Sequence, residues 1–205
     1  MREIMASFVY RLSWLFGAIL LIPALVVAGD EVRSDRAPAQ SLGLRYSYGL
    51  GRFSGDLSDT QGRPVHDFQL SFLHVGAPES RFQGFLAIDV LSTSAVHRGT
   101  QFPFPSGSSL DVLAFLFIPH LCSTHLSPAT LCFGLGQGTF NVNADRDRRD
   151  FGTWNYQFLA ELPIAGRWSA QFIGKYIGQV EQTVDGVYSK FGLSTATLGL
   201  GWTWR

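Results

Sequence analysis

The sequence predicts an all-β protein: an eight-stranded antiparallel up-and-down transmembrane β-barrel that follows a cleaved signal peptide. Three observations carry this. The last stretch, Ser194 to Arg205, alternates Ala196, Leu198, Leu200, Trp202 and Trp204 with small or polar residues. Side chains alternate sides along a strand, so one face is apolar and ends in two tryptophans, which favour the headgroup level of a bilayer. Seven earlier segments carry related alternation between polar or Gly- and Pro-rich connections. Beyond the leader, no apolar run is long enough for a spanning helix.

The leader itself is residues 1–28. Arg2 and Arg11 give a basic start, Trp14 to Val27 is nearly unbroken apolar sequence, and Val26-Val27-Ala28 offers small residues for cleavage after Ala28. Residues 29–40 are charged and without period, and read as a periplasmic tail; residues 41–205 are the barrel. With 16 basic and 16 acidic residues the chain has no net charge, which removes the electrostatic case for nucleic acid.

The first strand spans Leu42 to Phe53, with Leu42, Leu44, Tyr46, Tyr48 and Leu50 on one face and Gly43, Arg45, Ser47, Gly49 and Gly51 on the other. Its dyad matches that of the last strand, and the two are natural partners for closing the sheet. Ser54 to Pro64 is a polar outer loop. The second strand, Val65 to Val75, turns Phe68, Leu70 and Phe72 to lipid and Asp67, Gln69 and Ser71 inward, and Gly76 to Ser80 turns back. The third, Arg81 to Leu91, places Ile88 and Val90 outside and Asp89 inside. Ser92 to Ser109 reads as the longest outer loop, since Phe102-Pro103-Phe104-Pro105 cannot sustain a ladder.

The fourth strand, Leu110 to Ile118, is apolar on both faces, so period cannot assign its sides. Pro119 to Thr130 reads as an inner turn holding Cys122. The fifth strand, Leu131 to Val142, has an inward row of Cys132, Gly134, Gly136 and Gly138, which leaves space for side chains from across a narrow barrel. Asn143 to Phe151 is a charged outer loop. The sixth strand, Gly152 to Leu162, sets Trp154, Tyr156 and Phe158 against Asn155, Gln157 and Glu161. After a turn at Pro163 to Arg167, the seventh, Trp168 to Val180, turns Lys175 inward. Glu181 to Lys190 is the last outer loop.

A soluble barrel would bury its apolar face. Here the aromatics share one face while Arg45, Asp67, Asp89, Glu161 and Lys175 share the other, and unpaired buried charge costs several kcal/mol. In lipid only a closed sheet satisfies every backbone group. At eight strands the interior is just wide enough for side chains to fill it. The five charges therefore read as a network that plugs the lumen, with a narrow gated, porin-like pore as the alternative. The two cysteines, Cys122 and Cys132, read as a disulfide formed after export. Two sulfurs do not complete a metal site, and nothing points to a cofactor.

The seventh strand, its loop and the eighth (WSAQFIGKYIGQVE…LSTATLGLGWTW) resemble the C-terminal part of the OmpA/OmpX-type small outer-membrane barrels. The resemblance, carried by dyad repeats, extends in pattern over the mature chain. It implies location in the bacterial outer membrane, contact with its lipid and lipopolysaccharide, and recognition by the barrel-insertion machinery through a terminal aromatic, here Trp204.

Two function classes follow. The first is a structural or interaction barrel whose outer loops contact lipid or a partner protein. Arg146, Arg148 and Arg149 could meet lipopolysaccharide phosphates, and Phe102 and Phe104 could anchor a partner protein or pack over the barrel mouth. The second is a lipid-modifying enzyme of the lipid A deacylase kind, which also uses an eight-stranded barrel. That family carries His-x-Ser-Asn in the penultimate strand, where this chain reads F-I-G-K-Y-I-G-Q. The one His-x-Ser, His125-Leu126-Ser127, falls at the inner end, so no catalytic residue is assigned.

Overall fold

The computed structural model describes residues 42–57, 63–76, 80–97, 107–123, 128–144, 147–179, 182–184 and 187–204. The leader and tail read at residues 1–28 and 29–40 lie outside them. Eight long strands close a barrel: β1 (Leu42–Gly55), β2 (Pro64–Val75), β3 (Phe82–Val96), β4 (Ser109–Ser123), β5 (Thr130–Ala144), β6 (Asp147–Ala165), β7 (Trp168–Gln179) and β10 (Phe191–Trp204). The short strands β8 (Gln182–Val184) and β9 (Val187–Ser189) form a separate hairpin between β7 and β10. Every neighbouring pair in the barrel is antiparallel, and the first and last strands close it from Leu42 opposite Trp204 to Gly55 opposite Phe191. No sheet edge is left in the barrel, which is what a sheet needs where no water can satisfy its backbone.

The outside carries the signature of a bilayer. Leu42, Leu44, Leu50, Phe68, Phe133, Phe158, Leu198 and Leu200 are all turned outward and exposed. Aromatic rings bound this surface at both ends, as in membrane barrels. Trp168, Trp202 and Trp204 cluster at the end holding the chain termini of the barrel, with the Trp202 and Trp204 centroids 3.7 Å apart. Trp154, Tyr156 and Tyr176 cluster on the far side of the apolar surface.

The strands are longer than a bilayer requires. A spanning strand needs about 9–11 residues, whereas β1 has 14, β3, β4 and β5 have 15 each, and β6 has 19. The surplus lies at the end of the barrel away from Leu42 and Trp204, and there the two faces exchange character. On β1 the outward Leu50 gives way to Arg52, while the inward Arg45 and Ser47 give way to Phe53. On β3 the outward Val90 is followed by Ser92 and Ser94, and the inward Asp89 by Leu91 and Ala95. The upper barrel therefore has a polar collar outside and an apolar core inside. Phe140, Phe151 and Phe191 pack together in that core, with centroids 5.2–5.4 Å from Phe191.

This corrects the reading in which aromatics share one face and charges the other along whole strands. That rule holds within the bilayer and reverses above it, where water and lipid have changed places as the outer solvent. It also resolves β4. Val112, Ala114, Leu116 and Ile118 point in, and Leu113, Phe115 and Phe117 point out, because an apolar core and an apolar lipid face overlap along this strand.

Several boundaries move for the same reason. Ser92 to Val96, read as loop, continues β3. Asn143 to Phe151, also read as loop, is mostly strand, since Asn143 pairs with Arg148 and Asn141 with Asp150. A water-exposed ladder needs polar outward residues, and these supply them. Pro119 lies inside β4 rather than in a turn, at a place where the ladder to β5 omits it, as its missing N–H requires. The β6–β7 turn shrinks to Gly166 and Arg167, with Gly166 at φ 57°.

Candidate functional site

Below the upper apolar core, the barrel interior holds layered polar groups beside a second, smaller apolar cluster of Phe85, Ala87, Cys122, Cys132, Leu159 and Ile173. At the inner mouth, Arg45 from β1 reaches across to β6, where its Nη2 donates to Glu161 at 3.1 Å. Its Nη1 donates to Ser71 Oγ at 2.6 Å, and Ser169 donates to the other Glu161 oxygen at 2.6 Å. The guanidinium also lies 5.0 Å from the centroid of Phe85, whose ring stacks on His120 at 4.4 Å. His120 is fixed in turn by donating Nδ1–H to the Ile118 carbonyl at 3.0 Å.

Deeper in, Lys175 from β7 spans to β2 and β3. Its ammonium donates to Asp67 at 2.8 Å and to Asp89 at 2.6 Å, and all three side chains are fully buried. Around this layer Gln69, Asn155 and Gln157 are also buried. Narrowness makes the reach possible: a lysine and an arginine can each touch carboxylates on the opposite wall only where the lumen is side-chain wide. Glycine supplies part of the room. A Cβ at Gly134 would sit 2.7 Å from His120 Nε2 and 2.7 Å from Ile118 Cγ2.

The five charged residues read from the sequence thus fall into two groups, Arg45 with Glu161 and Lys175 with Asp67 and Asp89. The second group sets one ammonium between two carboxyl groups. The sequence turned Ser71 inward but assigned no role to it, to Phe85 or to His120, because those roles depend on neighbours across the lumen. Cys122 and Cys132 face each other on β4 and β5 and form a disulfide at the end of the barrel that holds Leu42 and Trp204. Arg148 and Arg149 stand on β6 rather than in a loop. Arg148 is outward and pairs with Asp150 at 3.4 Å, both largely exposed. Phe102, Phe104, Arg146 and the His125–Ser127 segment lie outside the described residues. Among the described residues there is no cluster of three or more metal-ligating side chains.

No protein-family model and no curated protein matches this sequence. Solved structures do match in fold. The chain is similar to Neisserial surface protein A, with a TM-score of 0.60 and 6% identity over 78% of this chain and 96% of that one. It is also similar to Ail, the attachment invasion locus protein of Yersinia pestis, with a TM-score of 0.51 and 10% identity over 80% of this chain and 99% of that one. The architecture is that of the small eight-stranded outer-membrane barrels.

Proposed function

We propose that this protein is a structural or surface-interaction barrel of the bacterial outer membrane, with a lumen closed to solutes and no enzymatic activity. The observation that carries the reading is the filling of the interior by ion-paired polar side chains and by two apolar clusters. An ion-paired polar layer lies at bilayer depth, and an apolar core containing Phe140, Phe151, Phe191 and Leu116 lies above it. An ion moving along the axis would have to displace the Lys175 pairs and then cross a dry apolar segment, which is itself a barrier by dewetting.

Activity at such a barrel would then reside on its outer surface. The polar collar carries the wall beyond the headgroups, where lipopolysaccharide or a partner protein can be met. The arginines at 146, 148 and 149 remain candidate phosphate contacts, tempered for Arg148 by its own ion pair with Asp150. Phe102 and Phe104 remain candidate partner anchors. Insertion would proceed through the common barrel machinery.

The competing reading, a lipid A deacylase, makes a direct prediction about the membrane. If the non-enzymatic reading holds, mass spectra of lipid A from cells with and without the protein should be identical. Loss of one acyl chain only when the protein is present would overturn the non-enzymatic reading.

A further inference from the structure

On the outer face of the wall, three neighbouring strands bring four polar side chains together. His66 on β2 stands opposite Ser92 on β3, and Ser94 on β3 stands opposite Asp111 on β4. All four are exposed. They border a groove of about 250 Å³ whose lining also includes Pro64 and Thr93. Its form follows from residue size: two serines make a low floor between an imidazole on one side and a carboxylate on the other.

The position of the groove is as informative as its lining. One step inward along the same faces, β2 presents Phe68, β3 presents Val90 and β4 presents Leu113. The polar groove therefore begins where the lipid-facing surface stops. A molecule seated in it would have an apolar track directly beneath. His66 is also held in place, with Nδ1 2.9 Å from Tyr46 Oη and its ring centroid 5.1 Å from that of Tyr48. Nε2 remains as the ring atom that can bond a ligand.

We infer that the His66–Ser92–Ser94–Asp111 groove is a binding site for the sugar headgroup of an outer-leaflet glycolipid, with the acyl chains lying along Phe68, Val90 and Leu113. The inference rests on the membrane reading above, which sets the groove at the lipid–water boundary. The lining chemistry selects a sugar over a phosphate. Hydroxyls both donate and accept, and a carboxylate accepts from the hydroxyls of a ring. Among the described residues no lysine or arginine lines the groove, and Asp111 would repel an anion.

The test uses the full barrel in phosphatidylcholine nanodiscs, with backbone amide resonances of Ser92, Ser94 and Asp111 as the readout. Three probes are titrated: a phosphate-free diacyl glucosamine disaccharide, the same disaccharide without chains, and extra phosphatidylcholine of equal chain length. The acylated disaccharide should give saturable shifts at these residues, and the other two should not. Asp111→Asn and Ser92→Ala should each weaken binding about ten-fold or more, as loss of a ligand hydrogen bond implies, while Arg52→Gln elsewhere on the collar should not.

Absence of saturable shifts, equal affinity in the variants, or equal response to phosphatidylcholine would overturn the site. Tight binding of the chain-free disaccharide would overturn its assignment to a lipid. Heat-dependent gel migration of each protein separates these results from failure of the membrane reading. A wild-type chain that does not migrate as a folded barrel would remove the premise and the site with it.

Discussion

Replacing Lys175 with Met removes the single cation held between two buried carboxylates. In the native barrel its ammonium lies 2.8 Å from Asp67 and 2.6 Å from Asp89, with no solvent exposure of any of the three. At an effective dielectric constant of about 20, each contact is worth about 6 kcal/mol of Coulomb energy, before desolvation and the repulsion between the carboxylates are subtracted. Breaking such a buried set from one side typically costs about 3–5 kcal/mol, because the remaining charge is left uncompensated. Stoichiometry gives the sharper expectation. Asp89→Asn leaves a one-to-one pair of Lys175 with Asp67, so it should cost clearly less than Lys175→Met. The triple variant Lys175→Met, Asp67→Asn, Asp89→Asn buries no charge in this layer and should regain most of the loss. Urea unfolding from phosphocholine vesicles, followed by tryptophan fluorescence, measures all three. A Lys175→Met variant within about 1 kcal/mol of wild type would refute the reasoning, as would an Asp89→Asn variant that is equally damaged.

The apolar upper core should matter as much as the ion pairs: Phe140→Ala should lose about 3–5 kcal/mol in the same unfolding assay, and a loss below about 1 kcal/mol would contradict a packed core there. Gly134→Leu should destabilise by about 1–3 kcal/mol through its clash with His120 and Ile118. Much of that loss should return in a His120→Ala background, and full additivity of the two substitutions would contradict the contact. The Cys122–Cys132 bridge closes a short loop, with a sequence separation of 10, so its removal should cost about 2–3 kcal/mol by chain entropy and leave the barrel able to fold. Because the bridge lies at the inner end, a membrane-impermeant reductant applied to intact cells should leave it oxidised, and ready reduction would mean that inner and outer ends are exchanged.

The architecture was legible because closure and lipid exposure both write themselves into a period of two. The dyads of Leu42–Leu50 and Ala196–Trp204 were enough to pair the first strand with the last, and the structure pairs them directly. The upper barrel was missed for a definite reason. Its strands keep the same period, but the solvent outside changes from lipid to water, so the apolar phase switches faces without a bulge. Leu50 and Phe53 on β1 carry that signal, as does the step from outward Val90 to inward Leu91 on β3. A polar stretch such as Asn143 to Asp150 then looks like loop when it is a water-exposed ladder. Sign and face could identify the charged lumen residues, but not which carboxylate each cation meets. That grouping depends on reach across the lumen, which one strand's pattern does not encode. The His66 groove was legible only in part: His66, Ser92 and Ser94 read as residues near one rim, but Asp111 joins them only through the pairing of β3 with β4.

Planar-bilayer recording of the full barrel at neutral pH shows whether the barrel interior is closed. A closed interior predicts no steady current in wild type, and none in Lys175→Met provided the variant inserts, because Phe140, Phe151 and Phe191 still pack the upper half. Stable, large open-channel steps from the wild-type protein would contradict it.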